Sequence, residues 1–377
     1  MVSIRCLGML VVCALTVLAA MVITYTTRDD VAGETAVSGG GFTNLGRSAR
    51  SGVGLVELES LRKEGRALRQ FVDILGSGFN HMVQLGGQKY PTQVPSLFWK
   101  KKFLTIGILS SASNFKNREL IRSTWFNFDQ TSWKGFFIVG LTGNFAVDFA
   151  VQQEARDHQD MVVIRVPEKY EAVRGEETSA EYVPHTLSTY SSLPYKTHAL
   201  FQLAMAMPSL KGYVLKTDDD CFVDVPKILT LLQERGQKSE HQNMYLGRCY
   251  GGKPERNSTK RWYVSPESFP GQSFPTYCRG TGYFLSLDVV SAIAATVASS
   301  SLREWYFEME DISVALNLDR SSKKAVTKPI DLSARVIAGH GVNGYLFKSC
   351  LVCHTTRESK KNLQSLMLKL WKSRGAT

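Results

Sequence analysis

Cysteine is scarce in this chain of 377 residues: there are 7, and Cys6 and Cys13 fall in an apolar N-terminal run. The remaining Cys221, Cys249, Cys278, Cys350 and Cys353 are odd in number. In an oxidising compartment at least one is therefore unpaired or pairs between chains, as in a homo-oligomer. Cys350-Leu351-Val352-Cys353 has no second CxxC and no histidine pair at finger spacing, which excludes a conventional zinc finger and favours a structural disulfide. Acidic residues are in deficit, with Lys+Arg 45 against Asp+Glu 34 and a formal charge of +11. That excess attracts polyanions, an anionic small substrate or a membrane surface. Basic and aromatic residues are not interleaved, however, so no nucleic-acid partner is expected. No internal repeat is visible.

Residues 6–27 carry no charge and are rich in Leu, Val and Ala, enough for a helix to cross a hydrocarbon core of roughly 30 Å. A cleaved signal peptide is the competing reading, since Leu18-Ala19-Ala20 is small-residue rich, but its apolar core is usually about 7 to 15 residues. The length favours a signal-anchor. Positive charge before it comes from Arg5 and the amino terminus, and Arg28 is followed at once by Asp29 and Asp30; this weakly favours a lumen-facing body. From residue 26 to about 51 the composition shifts to Gly, Ser, Thr and Ala, too poor in large apolar residues to build a core, as in a flexible stem. Leu58, Leu61, Leu68, Val72 and Leu75 then fall near heptad positions and predict a short amphipathic helix packed on the body. The expected organisation is a tip and transmembrane anchor over 1–27, a stem over 28–95 and a luminal catalytic domain over 96–377.

The body alternates short β-branched runs with helical stretches. Residues 103–109, 136–139, 161–166 and 213–215 read as buried strands, and residues 117–125 and 197–207 as helices. This pattern predicts an α/β domain with a mostly parallel central sheet. In such sheets ligands sit at the carboxyl ends of strands, which is where Asp218, Asp219 and Asp220 fall. Three adjacent carboxylates raise one another's pKa and are costly to bury unpaired, so a cation belongs there. Mg2+ and Mn2+ take carboxylate oxygens and hold phosphate oxygens at the same time, which suits a diphosphate-bearing substrate; a solvated turn is the plain alternative. Asn257-Ser258-Thr259 is a glycosylation sequon.

The ordered motifs Arg118-Glu-Leu-Ile-Arg-Ser-Thr-Trp125, Phe136-Phe-Ile-Val-Gly140, Lys216 to Val223, Arg261-Trp-Tyr-Val-Ser265, Tyr277-Cys-Arg-Gly-Thr-Gly-Tyr283 and Glu310-Asp311-Ile312 resemble a known family. It is that of the β-1,3-galactosyltransferases and β-1,3-N-acetylglucosaminyltransferases of glycosyltransferase family 31, related to the fringe enzymes. The resemblance runs over roughly residues 103–360 and is similar in its divergence to a trypanosomatid-type branch. It implies a GT-A fold, inverting transfer from UDP-galactose or UDP-N-acetylglucosamine to a glycan acceptor, Mn2+ dependence and a Golgi membrane location of single-pass type II.

By the same resemblance Asp311 is the catalytic base, and Asp220 and His354 hold the metal, with His340 the competitor for the histidine position. Asp218 and Asp219 would serve the ribose, the donor sugar or the groups behind the metal ligands, and Lys216 would serve the donor. Arg118 and Arg122, four apart on one helical face, would grip phosphate or uracil oxygens. Trp262, Tyr263, Gly280, Gly282 and Glu310 would face the acceptor. Each has a plainer reading: an exposed basic helix face for the arginines, a helix N-terminus for Glu310 and Asp311, a tight turn for the glycines, and packing for Trp262, Tyr263 and Trp125. The region 170–194 departs from the family pattern and survives mainly as Tyr195-Lys196-Thr197, and Ala315 stands where the family has glycine. These departures bear on acceptor and donor choice. A glycoside hydrolase also pairs carboxylates but needs neither a metal-binding aspartate cluster nor upstream arginines. A non-catalytic lectin or folding helper on this scaffold predicts loss of base or metal ligands, and both are present.

Overall fold

The computed structural model describes residues 79–100, 102–167, 192–206, 212–237, 242–260, 262–324, 326–332, 336–337, 350–354 and 363–373. By its contacts the chain divides into Met1–Leu75 and Gly76–Thr377, and every described residue belongs to the second unit. The expected membrane span, stem residues 28–78, the heptad stretch, Arg261 and His340 lie outside the described residues. Among those described, no helix is long and apolar enough to cross a membrane.

The body opens with β1 (His81–Leu85) and β2 (Gln88–Gln93), then β3 (Leu104–Ser110), α1 (Phe115–Arg122), β4 (Trp133–Leu141), α2 (Phe145–His158) and β5 (Met161–Pro167). Next come α3 (Ser192–Met205), β6 (Tyr213–Asp218), β7 (Cys221–Val223), α4 (Val225–Gln237), β8 (Met244–Tyr250) and β9 (Tyr277–Ser286). After these follow α5 (Leu287–Ser299), α6 (Leu302–Trp305), α7 (Glu310–Arg320), β10 (Lys328–Asp331), β11 (Val336–Ile337), β12 (Val352–His354) and α8 (Leu363–Ser373). Among the described residues nine strands form one sheet in the order β1-β2-β5-β4-β3-β6-β9-β8-β10, and β11-β12-β7 form a second.

The expectation of a mostly parallel sheet needs correction. Among the described residues of the nine-stranded sheet, β5-β4-β3-β6 and the β8-β10 pair run parallel, while β9 lies antiparallel between β6 and β8 and the β1-β2 hairpin adds antiparallel strands at the other edge. The parallel strands are the ones covered on both faces, which is why all residues of β3 and β4 are buried and read as continuous apolar runs. Alternate residues feed two cores. Ile106, Ile108, Phe137, Val139 and Leu215 join residues of α1, α2, α4 and α8, whereas Leu109, Phe136, Ile138 and Val214 join α3, α5 and α7. Gly107 permits one close approach, because a Cβ there would meet Leu200 of α3 at 2.1 Å.

The lower boundary of the body also moves. Residues 81–93, expected in the stem, are strands of the main sheet. The segment turns back on itself at Gly86 and Gly87, whose φ angles of 57° and 77° suit a two-residue hairpin loop. Thr92 and Gln93 then pair with Ile164 and Val163.

Candidate functional site

The aspartate triplet stands where β6 ends, between the parallel strand β3 and the antiparallel β9. The three carboxylates have different fates. Asp219 turns inward: its backbone N–H donates to Leu109 O at 3.2 Å, and its carboxylate accepts from Ser110 Oγ at 2.7 Å, Asn114 Nδ2 at 2.9 Å and Asn117 Nδ2 at 3.2 Å. Burial pushes its carboxyl up to about 6, against the three donors that favour the ionised form. Asp218 and Asp220 remain 33% and 32% exposed at the side chain and are the members open to a ligand.

Arg118 and Arg122 do not take the phosphate-facing positions expected of them. Arg118 is fully buried, and all its N–H groups are spoken for: Nε and Nη2 go to Glu154, Nη1 to Ser110 Oγ at 2.9 Å and Ser111 O at 2.6 Å, and Nη2 also to Ala112 O at 3.2 Å. Arg122 holds Asp160 with Nε at 2.7 Å and Nη2 at 2.8 Å, and Glu154 with Nη1 at 2.7 Å. The reason is α2, whose Glu154 was not read from the sequence as a partner. Burial opposes ionisation of Glu154, but the hydrogen bonds and charges of Arg118 and Arg122 hold its pKa below the ordinary value. Arg118 thus fixes the turn after β3, while Arg122 ties α1 to Glu154 of α2 and to Asp160. Through Ser110, Arg118 also fixes Asp219.

Lys216 is likewise a brace and not a free donor-binding cation. Its buried ammonium spends its three protons on Asp218 Oδ1 at 2.7 Å, Gly280 O at 2.5 Å and Glu310 Oε2 at 3.0 Å. Burial would lower its pKa, yet Asp218 and Glu310 keep it protonated.

Glu310, expected to face the acceptor, is only 4% exposed at the side chain. Besides Lys216 it accepts from Thr197 Oγ1 at 3.1 Å and from the Tyr283 hydroxyl. Gly280 and Gly282 are packing positions and not open sugar contacts. A Cβ at Gly280 would stand 3.1 Å from Glu310 Oε2 and 3.3 Å from Lys216 Nζ, and one at Gly282 would stand 2.9 Å from Val352 Cγ1.

Asp311 lies in the first turn of α7, as the helix N-terminus reading has it, and also at the site. Its Oδ2 accepts from Gly280 N at 3.1 Å and its Oδ1 from Ile312 N at 3.0 Å. Burial raises its pKa, only partly offset by Lys216 and these N–H groups. On the other side, β12 pairs with β7 so that His354 lies opposite Cys221, bringing His354 Nε2 to 3.2 Å from Asp220 Oδ2. Burial lowers the His354 pKa, but the hydrogen bond and charge of Asp220 outweigh it and the net direction is upward.

Trp262 and Tyr263 lie between β8 and β9, with Trp262 60% exposed. Arg256 clasps this segment by donating to Val264 O, Phe269 O and Gly271 O, and Val264 and Phe274 pack on Phe307 and Ile312 beside Asp311. Asn257 is exposed, its Oδ1 accepting from Thr259 N at 3.1 Å and Thr259 Oγ1 at 2.8 Å. Trp125 is core, its Nε1 donating to Cys221 O at 3.1 Å. Cysteines pair as Cys249–Cys278 and Cys350–Cys353, with Cys221 buried and free.

Sequence reasoning missed Ser110, Asn114 and Asn117 at Asp219, Glu154 and Asp160 at the arginines, and Tyr283 and Thr197 at Glu310. The spacing of Asn114 and Asn117, three apart, was a usable sign that one helical face points at a single target.

A sequence profile of the galactosyltransferase family matches residues 116–177 and 183–325, more than half of the chain. Similar relatives include the β-1,3-galactosyltransferase GALT1 of Arabidopsis thaliana, 27% identical over 291 residues that make 74% of this chain and 40% of that protein. The hydroxyproline O-galactosyltransferase GALT6 of the same plant is 29% identical over 63% of this chain and 31% of its own. Mouse β-1,3-galactosyltransferase 1 is 28% identical over 57% of this chain and 60% of its own. The chain thus spans less than two thirds of the length of each of these curated relatives. Among solved structures, apo mouse xyloside xylosyltransferase 1 aligns over 68% of this chain and 98% of its own, at 11% identity and a TM-score of 0.29, a likeness too weak to carry an argument. The profile match includes the β6 triplet, Gly280 and the α7 acids that the geometry joins, and the chain belongs to the galactosyltransferase family, glycosyltransferase family 31.

Proposed function

We propose that the protein transfers galactose or N-acetylglucosamine from a UDP-sugar, with inversion, to a glycan acceptor hydroxyl, forming a β-1,3 linkage. The observation that carries this is the Lys216 brace. It ties Asp218 at the end of β6 to Glu310 and Gly280, and Gly280 N in turn holds Asp311. A diphosphate end and a base are thereby joined in one site. Asp311 takes the proton of the acceptor hydroxyl as that oxygen bonds to the anomeric carbon, and the bond from that carbon to UDP breaks on the opposite face. Two backbone N–H groups hold the Asp311 carboxylate in one orientation, and its raised pKa makes it a better base than an exposed aspartate.

A divalent cation such as Mn2+ fits the residues present. Among the described residues no cluster of three or more His, Cys, Asp or Glu side chains is arranged to hold a metal. Asp220 and His354, however, supply a carboxylate and an imidazole, and His354 Nδ1 is buried without a hydrogen-bond partner among the described residues. Such a pair suits a cation that completes its shell with diphosphate oxygens and water. Bound there, the cation would neutralise the leaving diphosphate. In this reading Asp218 meets the donor's ribose or sugar, and the exposed Trp262 stacks on an acceptor ring. A type II Golgi enzyme anchored through residues 6–27 is the organisation consistent with the uncharged N-terminal run and the sequon.

The test uses the full chain with Mn2+, a panel of UDP-sugars and glycan acceptors. One UDP-hexose should be turned over, and Asp311→Asn should lower kcat about 10²- to 10⁴-fold with UDP affinity retained. Activity of wild type should climb with pH along an acid limb lying above the ordinary aspartate value of about 3.9. Full turnover by Asp311→Asn removes it as base. Turnover undiminished by EDTA removes the metal.

A further inference from the structure

Arg279 is the residue between Cys278, which closes a disulfide with Cys249, and Gly280, whose N–H holds Asp311. Its guanidinium lies over the Tyr250 ring, 4.8 Å from the centroid, and its Nε donates to the Tyr250 hydroxyl at 2.5 Å. Tyr250 pairs across the sheet with Tyr277, their rings 4.9 Å apart. Tyr277 also packs on the cluster that holds Phe307 and Ile312, the chain neighbour of Asp311, so all four groups share one neighbourhood. Among the described residues the two terminal amino groups of Arg279 make no hydrogen bond, and the side chain makes no ion pair. The contrast with Arg118, Arg122 and Arg256 is direct, since those three are consumed by protein oxygens.

A stacked, half-buried guanidinium with its outer edge free is built to take a planar or tetrahedral oxyanion through two parallel bonds. Aromatic rings beside it offer a face to a sugar. Cys249–Cys278 staples the two strands at this point, so the arrangement is pre-formed. The +11 formal charge of the chain acts at longer range in the same sense.

We propose that Arg279, backed by Tyr250 and Tyr277, reads an anionic group, a carboxylate or phosphate, on the acceptor sugar. The protein therefore prefers acidic acceptors over their neutral counterparts. The proposal rests on the reading of Asp311 as the base, because that places the acceptor's reactive hydroxyl beside Gly280.

The test compares matched pairs of sugars on the full chain: glucuronate against glucose, galacturonate against galactose, and hexose 6-phosphate against the free hexose, each as an aryl glycoside. Equilibrium binding is measured without donor by ligand-observed NMR, and transfer is measured with the donor. At least one acidic sugar should bind roughly ten- to hundredfold tighter than its neutral partner. Arg279→Gln should collapse that ratio towards one, and Arg279→Lys, which keeps charge but loses the fork, should retain part of it. Thermal unfolding checks that both variants are folded, and their UDP affinity reports the source of the anion. Loss of UDP affinity in folded Arg279→Gln assigns the guanidinium to the donor diphosphate and overturns the proposal. So does an acid-to-neutral ratio near one in wild type for every pair, or a ratio unchanged by Arg279→Gln. Absence of all UDP-sugar turnover with the binding ratio intact sinks the enzymatic reading and leaves the anion site standing.

Discussion

Asp219 accepts three side-chain hydrogen bonds while Asp220 is about a third exposed and touches His354, so neighbouring aspartates should respond differently to the same substitution. Asp219→Ala strands donors from Ser110, Asn114 and Asn117 and should lower stability by about 1–3 kcal/mol, read by thermal or urea unfolding. Asp220→Ala should leave unfolding nearly unchanged and abolish Mn2+-dependent UDP binding in a titration; retained binding rejects Asp220 as a ligand. At this scale the sequence showed the residue types. It did not show which carboxylate points inward, because three consecutive residues leaving a strand depart in directions set by the next turn. Arg118 and Arg122 are the parallel case. A helical face of two arginines is legible, but whether it meets substrate or Glu154 depends on a helix some thirty residues further along the chain.

Elements act on the site through close approaches. Gly282 lies against Val352 of β12, the strand that carries His354, and a methyl group there would stand 2.9 Å from Val352 Cγ1. Gly282→Ala should therefore push β12 away and weaken Mn2+ binding by about tenfold or more, and the double variant Gly282→Ala with Val352→Ala should recover much of it. A loss of Mn2+ affinity that persists unchanged in the double variant would falsify the steric account. Helix α2 acts through charge. The Glu154 pKa is held below its unfolded value by Arg118 and Arg122, so its stabilising contribution is complete above roughly pH 4.3 and fades as pH falls through the depressed folded value. Glu154→Gln should lower stability at neutral pH, and the gap from wild type should narrow in acid unfolding below that pH. A gap constant across the range sinks the assignment. Strands β3 to β6 were readable as continuous apolar runs because both faces are covered. The antiparallel direction of β9 was not readable, since strand direction leaves no mark on composition.

Over the whole molecule, the disulfide Cys249–Cys278 closes a loop of sequence separation 29 that carries Trp262, Tyr263 and the packing partners of α7. Chain-entropy reasoning gives such a crosslink roughly 3–4 kcal/mol. Cys249→Ser with Cys278→Ser should lower the unfolding midpoint accordingly, and reductant should do the same to wild type; a midpoint unmoved by either shows that the loop packing holds without the crosslink. The same closure sets Arg279 and Gly280 beside Asp311, so the double variant should also raise the acceptor KM more than the donor KM. By itself the sequence determined the class of fold, the family and the chemical types in the site, because periodicity, strand-end carboxylates and ordered short motifs are local and survive divergence. The tertiary structure alone decided that Arg118, Arg122, Lys216, Glu310 and Asp219 brace the site while Asp218, Asp220, Asp311, His354 and Arg279 keep atoms facing outward. The physical reason is that a polar side chain's role depends on whether another element arrives to satisfy it, and those partners lie far away in the chain.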